Sequence, residues 1–544
     1  MAIELAGDLR RCRVRDDRVP TDLPGRVRGC LSGTSDIWVW ILLVLGVVGA
    51  LASRVSSDAD WDLRNYHLYS AQALITGRFW TDIAAAQLQT YLSPVVDLAL
   101  GLVREGLNAT PVLRDLVLSI PHGVAVALAF VLTLRMLPRD LPARAPLALV
   151  ATLCSAAGAA CYPTLATSMS EMLPACGILG GLLLLTGNAM KLRASVMLAG
   201  ALFGIAAGLK LTAAPCCVAA TVAVLVAPRP GLPRWSQASL FVLGGLLAAA
   251  LVGGPWWIVM YHRYGNPIMP FMNQIFRSPF VAPLGFADLR FQPRNVGMAL
   301  AYPFYWAVRT RALVSELPMR DPRFAIAYLA VGALAVQALR RRRIGGRGGA
   351  LLVVFFAMSF ALWEAQFSIL RYLGTLELLT GAVVLLALRP LLQRSRMRAQ
   401  VAWGFVGLCI ATQAMTVYPN WGRMAWKEPT LIQLPALEAN ALVVLLDPSP
   451  MAYLANLLPP AVRFIGANNN LIKPGGDGLL ARQAEAAIRL HAGSLYGLED
   501  PAESPEAAAR TLAYYRLRRG ECSPVKSNLD NDAIHLCRLW PDPG

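Results

Sequence analysis

The chain has 544 residues, of which 56% are apolar and 15% charged, against roughly 45–50% and 25% in soluble globular proteins. That excess excludes a soluble enzyme and indicates a polytopic membrane protein. The formal net charge of +17 does not point to nucleic acid, because the Arg residues cluster between apolar runs, as they do in cytoplasmic membrane loops.

Residues 1–36 carry seven Arg and no early apolar core. A cytoplasmic N-terminal tail without a cleavable leader is expected, the first span acting as the membrane signal. Runs suited to a spanning helix, about 17–25 residues each, fall at 37–53, 115–134, 145–161, 171–187, 194–209, 211–227, 237–260, 324–339, 350–369, 373–388 and 400–417. These make eleven expected spans. With the N-terminus inside, the inner connections hold Arg135, Arg139 and Arg144, then Lys191 and Arg193, Arg229 and Arg234, Arg340 to Arg343 with Arg347, and Arg389 to Arg398. Every short basic loop lies on one side, as the positive-inside bias requires.

Spanning by 88–107 or 297–308 would invert that pattern, so both are expected in the outer interface. The transmembrane domain is then 37–417, with long outer loops at 54–114 and 262–323. From 418 to 544 the pattern changes: ALVVLLD (441–447) and VRFIGA (462–467) read as buried strands, SPMAYLANLL as a short helix, and LARQAEAAIRLHAG (480–493) as an amphipathic helix. An odd number of spans puts this small α/β domain outside, where Cys522 and Cys537 are placed to pair. Most of the other Cys residues sit in apolar runs, as small buried hydrophobes.

The stretch DADWDLRNYHLYSAQALITGRFW (58–80) opens the first outer loop with Asp58, Asp60 and Asp62. A solvated helix end is the ordinary reading of Asp58 and Asp60. On a helix, Asp62 shares a face with Asn65, Tyr66 and Tyr69, a polar and aromatic row suited to a sugar.

A first span ending in an acidic residue, a long outer loop, many further spans and an outer C-terminal domain together resemble the GT-C class of integral-membrane glycosyltransferases. That class includes the protein O-mannosyltransferases and lipid A aminoarabinose transferases, which take sugar from a polyprenyl-phosphate carrier. Its signature here is an acidic residue, often Asp-Glu, followed by an aromatic. Asp62-Leu63-Arg64-Asn65-Tyr66 supplies the acid and the aromatic, with Leu63 at the second acidic position. The resemblance implies transfer of a sugar to an extracytoplasmic glycan, lipid or protein acceptor in cell-envelope glycan assembly.

Such transfer needs a carboxylate to take a proton and cations to stabilise the leaving phosphate. Asp62 is the expected base, followed by Asp60 and by Glu171 in SMSEMLP. Substrate binding is expected from Asp58, Arg64, Asn65, Tyr66 and His67, and from Lys210, His262, Arg263, Arg371 and Tyr372, of which Lys210, His262, Arg263 and Arg371 would clamp phosphate. Taken singly, each cation also reads as an interface anchor, and Glu171 as a solvated helix start. His67 and His122 have no partner at metal-ligand spacing and read as hydrogen-bonding residues. If a metal is used, Asp58 and Asp60 would hold Mg²⁺ or Mn²⁺. A lipid-linked sugar flippase or small-molecule transporter is the competing class; the long outer loops and outer domain speak against it. An O-antigen ligase or polymerase would put its functional Arg and His in a large late outer loop.

Overall fold

The structure is a computed structural model that describes residues 24–188, 190–340 and 346–543, with side chains from residue 37 onward. The tail before residue 24 and the Arg341–Arg343 part of one basic loop lie outside the described residues. Each expected span coincides with a helix: Pro24–Ala52, Ile120–Met136, Arg144–Ala156, Met172–Thr186, Leu192–Leu209, Ala214–Val226, Arg234–Val252, Arg323–Leu339, Gly346–Gln366, Thr380–Leu392 and Arg398–Met415. Among the described residues, four stretches are long and apolar enough to cross a membrane: Pro111–Met136, Leu192–Leu209, Arg234–Val252 and Gly346–Gln366. The bent pair Leu370–Glu377 and Thr380–Leu392 brings the number to five at most. The expected run 237–260 breaks at Gly253, and a second helix, Gly254–Tyr264, has Pro255 in its first turn, where the missing N–H is tolerated.

Small residues set the helix packing. A Cβ on Gly200 or Gly204 would stand 2.0 Å from the carbonyl oxygen of Phe241 or Gly245. The backbones of Leu192–Leu209 and Arg234–Val252 therefore meet directly, the close approach that glycine permits between membrane helices.

The C-terminal region forms a five-stranded mixed sheet from β1 (Leu442–Leu445), β2 (Arg463–Gly466), β3 (Leu495–Glu499), β4 (Leu517–Pro524) and β5 (His535–Pro541). The spatial order is β2-β1-β3-β5-β4, with β1 parallel to β2 and β3, and β5 antiparallel to β3 and β4. Helices Leu479–Arg489 and Pro505–Tyr515 accompany it. Cys522 and Cys537 face each other across β4 and β5 and are joined in a disulfide.

The first outer loop is built into this sheet domain. Ile83 bridges Ile465 at the β2 edge, its N–H donating to the Phe464 carbonyl at 3.1 Å. Arg78 donates to Asp82 and to the Val462 carbonyl, while Asp82 accepts from the Phe464 N–H. Leu63, Tyr66, Tyr69 and Phe79 share one apolar core with Val443, Ile465 and Leu512, separate from the core of the spanning helices. Residue 58 therefore enters a region framed by two domains.

Candidate functional site

The acidic stretch is held from above by the linker that leaves helix Arg398–Met415. The Ala59 N–H donates to the Gly422 carbonyl at 3.4 Å, and the Met424 N–H to the Ser57 carbonyl at 2.8 Å. Gly422 has φ +114°, and a Cβ there would lie 3.0 Å from the Ala59 oxygen. Only glycine suits both the conformation and the approach.

None of the three carboxylates is solvated, which corrects the helix-end reading of Asp58 and Asp60. Asp58 is 1% exposed. Its Oδ2 accepts from Arg104 at 2.6 Å and from the Ser168 N–H and hydroxyl at 2.7 and 2.8 Å. Burial pushes its pKa up, but Arg104, a side-chain hydrogen bond with Asp60 and the Ser168 N–H bring it down to about 2. Asp58 is an ionised tie between segments.

Asp60 is different. Its Oδ1 accepts the Leu63 N–H at 2.8 Å and so begins the helix, and its buried carboxyl shares a side-chain hydrogen bond with Asp58. Burial, with Asp58 and Asp62 beside it, raises its pKa well above the carboxylate range.

Asp62 is ion-paired with Arg371. Lys210 pairs with Glu171 at 2.6 Å. The Arg371 guanidinium and the Lys210 ammonium lie 5.5 and 6.0 Å from the Tyr372 ring centroid, tying the two pairs into one cluster around that ring. The second oxygen of Glu171 and Nε of Arg371 are buried without partners. The structure thus gathers Asp62, Glu171, Lys210, Arg371 and Tyr372, drawn from four separate parts of the sequence.

The predicted row along one helix face does not form. Residues Leu63–His67 make a π-helical turn, with more residues per turn than the α-helix assumed by an i, i+3, i+4, i+7 row. Asn65 instead bonds the Ala86 carbonyl and Gln87, and Tyr69 donates to Asp82. Tyr66 stays buried near the cluster, its ring centroid 4.0 Å from that of His67 and tilted by 38°, its pKa raised by burial and by Asp62 and Asp97. His67 Nδ1 bonds Asp97 at 2.5 Å, leaving Nε2 buried and unpartnered. Arg64 faces the sheet domain, close enough to Tyr453 and Asp530 to influence their ionisation. His262 and Arg263 are exposed at the end of their helix, where Arg263 lies over Trp80. They form no contact with Asp62 or Arg371 among the described residues, so the expected phosphate clamp loses these two. His122 is hydrogen-bonded to the Cys161 carbonyl.

Sequence reasoning passed over Asp97, Arg104, Ser168 and Arg423. For Asp97 and Arg104 the signal available was charge inside LQTYLSPVVDLALGLVREGL, which is expensive in an apolar segment unless paired. Asp58 and Asp60 do not suit a divalent cation. The Asp58 oxygens are occupied by Arg104, Ser168 and the Asp60 N–H, and a guanidinium on the carboxylate opposes the charge of the ion. Glu499, Cys522 and Cys537 lie close enough to hold an ion, but both sulfurs are in the disulfide.

No protein-family profile and no curated protein sequence matches the chain. Among solved structures it is similar to the archaeal oligosaccharyltransferase AglB from Archaeoglobus fulgidus in complex with an inhibitory peptide and a dolichol-phosphate. The identity is 14% and the TM-score 0.44, with 86% of this chain and 71% of that one covered. At a TM-score below 0.5 this likeness carries no weight for what the chain does.

Proposed function

We propose that the protein is an integral-membrane glycosyltransferase that moves a sugar from a polyprenyl-phosphate carrier to an extracytoplasmic acceptor. The observation that carries this reading is the cluster in which Asp62 and Glu171 meet Arg371 and Lys210 beside Tyr372. It combines a carboxylate able to take a proton with two cations able to hold a phosphate, at the ends of apolar helices.

In the reaction an acceptor hydroxyl attacks the anomeric carbon. The bond from that carbon to the phosphate oxygen breaks, and the lipid phosphate leaves with the electron pair. Asp62 accepts the hydroxyl proton, and Arg371 and Lys210 hold the departing phosphate. A bound phosphate competes with Asp62 for Arg371, which frees the carboxylate when the donor is in place. Glu171 restrains Lys210 in the same manner. The transfer needs one base and no covalent sugar on the enzyme.

The chemistry belongs on the outer side, with the N-terminus cytoplasmic and the sheet domain outside. The Cys522–Cys537 disulfide is in keeping with an oxidising compartment. Alkaline phosphatase fused after residue 544 is expected to be active and green fluorescent protein there dark; the reverse pattern overturns this orientation. The activity itself is tested by incubating purified protein in detergent with a panel of polyprenyl-phosphate sugars and acceptors. Release of lipid phosphate that Asp62→Asn abolishes supports transfer. A wild-type protein that releases none, yet moves lipid-linked sugar between the leaflets of vesicles, is a flippase.

A further inference from the structure

Two cysteines of the helical region are turned toward each other. Cys154 lies near the end of helix Arg144–Ala156, and Cys409 lies in the second half of helix Arg398–Met415. The Cys154 thiol stands 3.9 Å from the Cys409 carbonyl oxygen and shares a side-chain hydrogen bond with the Cys409 thiol. Neither is in a disulfide. The other described free cysteines turn to different groups: Cys161 donates to the Gly374 carbonyl, Cys176 to those of Pro121 and Met172, Cys217 to those of Phe203 and Ala213, and Cys216 bonds Ser359. Cys154 and Cys409 are half-buried and line a crevice with Ala151, Ile326, Val384 and Leu408. Ile410, next to Cys409, is 66% exposed, so the pair lies at the outer surface of the bundle and not in its core.

The helix that carries Cys409 is lightly held. Only Phe405 and Thr412 are buried along Arg398–Met415, yet its end launches the linker whose Gly422 and Met424 bond Ala59 and Ser57 of the acidic stretch. Arg323 ties that end, bonding Gln413 and Thr416 on one side and the carbonyls of Cys154 and Ala157 on the other. A covalent bond at Cys409, about two turns below Thr416, would be a second tie. We propose that Cys154 and Cys409 are a redox-sensitive pair, in which oxidation by a small disulfide closes a disulfide that staples the last helix to the bundle. One thiol loses its proton and attacks the S–S bond of the oxidant, expelling one thiolate and leaving a mixed disulfide. The second thiol loses its proton and displaces the other thiolate, so one disulfide is cleaved, one is formed, and the two protons pass to the departing thiolates. Both helices end beside the linker to the sheet domain, whose Cys522–Cys537 disulfide is in keeping with an oxidising compartment on that side. The inference goes beyond the transfer chemistry and does not depend on it.

The test treats the reduced, purified full chain in detergent with dithiodipyridine, an apolar disulfide, and maps the cysteine peptides by mass spectrometry without reductant. The wild type should give a linked Cys154–Cys409 peptide free of pyridyl adduct. In Cys154→Ser and Cys409→Ser the link should be lost, and the remaining cysteine of the pair should keep the adduct. Closing the disulfide should raise the thermal midpoint of the wild type by about 3 °C or more, a shift that both Ser variants lack. Reduced Ser variants that melt with the reduced wild type guard against misfolding, and Cys154→Ala and Cys409→Ala replace any that do not. Separate adducts on Cys154 and Cys409 in the wild type, no reaction at either, or a link from either to a different cysteine overturns the pair. A link that forms and leaves the midpoint unchanged overturns the staple.

Discussion

Two buried groups of carboxylates in this molecule are built on opposite plans. At the turn after helix Arg144–Ala156, Glu377 accepts from the N–H groups of Ala160 and Cys161, and Asp321 accepts from the Ala159 N–H. Arg323 spends its donors on Asp321, Thr416, Gln413 and the carbonyls of Cys154 and Ala157. Both oxygens of each carboxylate are partnered, and the Arg satisfies carbonyls that the helix end leaves free. Around Asp62 the same residue types leave Glu171 Oε2 and Arg371 Nε without partners. Evenly buried charge therefore divides by satisfaction: a closed network fixes a helix end, and an open one keeps bonds available for a ligand.

The largest effect that separates the two is on turnover. Asp62→Asn keeps the size and much of the hydrogen bonding of Asp62 but cannot take a proton, so lipid-phosphate release should fall by about 10² to 10⁴ while the protein still folds and binds carrier. Near-normal transfer in this variant would move the base elsewhere, with Asp60→Asn the next variant to assay.

Glu377→Ala should do the reverse. It strands two buried N–H groups, each worth about 1–3 kcal/mol when left unmade, so the thermal midpoint in detergent should drop clearly. Turnover per folded molecule should stay within about threefold of wild type, because Glu377 has no partner in the Asp62 cluster. A folded, inactive Glu377→Ala protein would erase the distinction between the closed and the open group.

How much of this could be read from the sequence follows from the range of each signal. Hydropathy is local, and all eleven apolar runs became helices; their lengths alone qualify four or five as spans. Strands β1 and β2 were visible as short apolar runs. Strands β3, β4 and β5 were not; in β4, LRRGECSP carries its charges on an exposed edge and gives no clean alternation. Asp62 stood out as an acid at a membrane boundary, and Lys210 and Arg371 as cations in apolar surroundings. That Asp62 and Arg371 meet across 309 positions has no local trace. Nor does the π-helical turn at Leu63–His67, which turned Asn65 and Tyr69 away from the site. Asp58 was misread because the partners that bury it, Arg104 and Ser168, lie 46 and 110 residues away.

The open group should also show itself through its cations. Arg371→Gln and Lys210→Gln each remove one charge-assisted contact to the departing phosphate, about 1.5–3 kcal/mol. Turnover should fall about ten- to hundredfold, and Arg371→Lys should recover part of it because it restores the charge without the planar fork. If both neutral variants turn over normally, the two cations are interface anchors and the phosphate is held elsewhere.

The smallest effect concerns Asp58, which belongs to the closed plan although it lies inside the open stretch. Its carboxyl sits near 2 because Arg104, Asp60 and the Ser168 N–H outweigh its burial, compared with 3.8 ordinarily. A folded pKa below the unfolded one means the stabilisation is fully present above about pH 4 and is lost as the pH falls towards 2, about 2 kcal/mol in all. Asp58→Asn should therefore melt lower than wild type at pH 6, since Arg104 loses its ionic partner. Between pH 6 and 2.5 its midpoint should fall less, so the two curves converge. Curves that stay parallel over that range would mean that Asp58 does not carry its charge against Arg104, and the division between closed and open carboxylates would have to be drawn at a different residue.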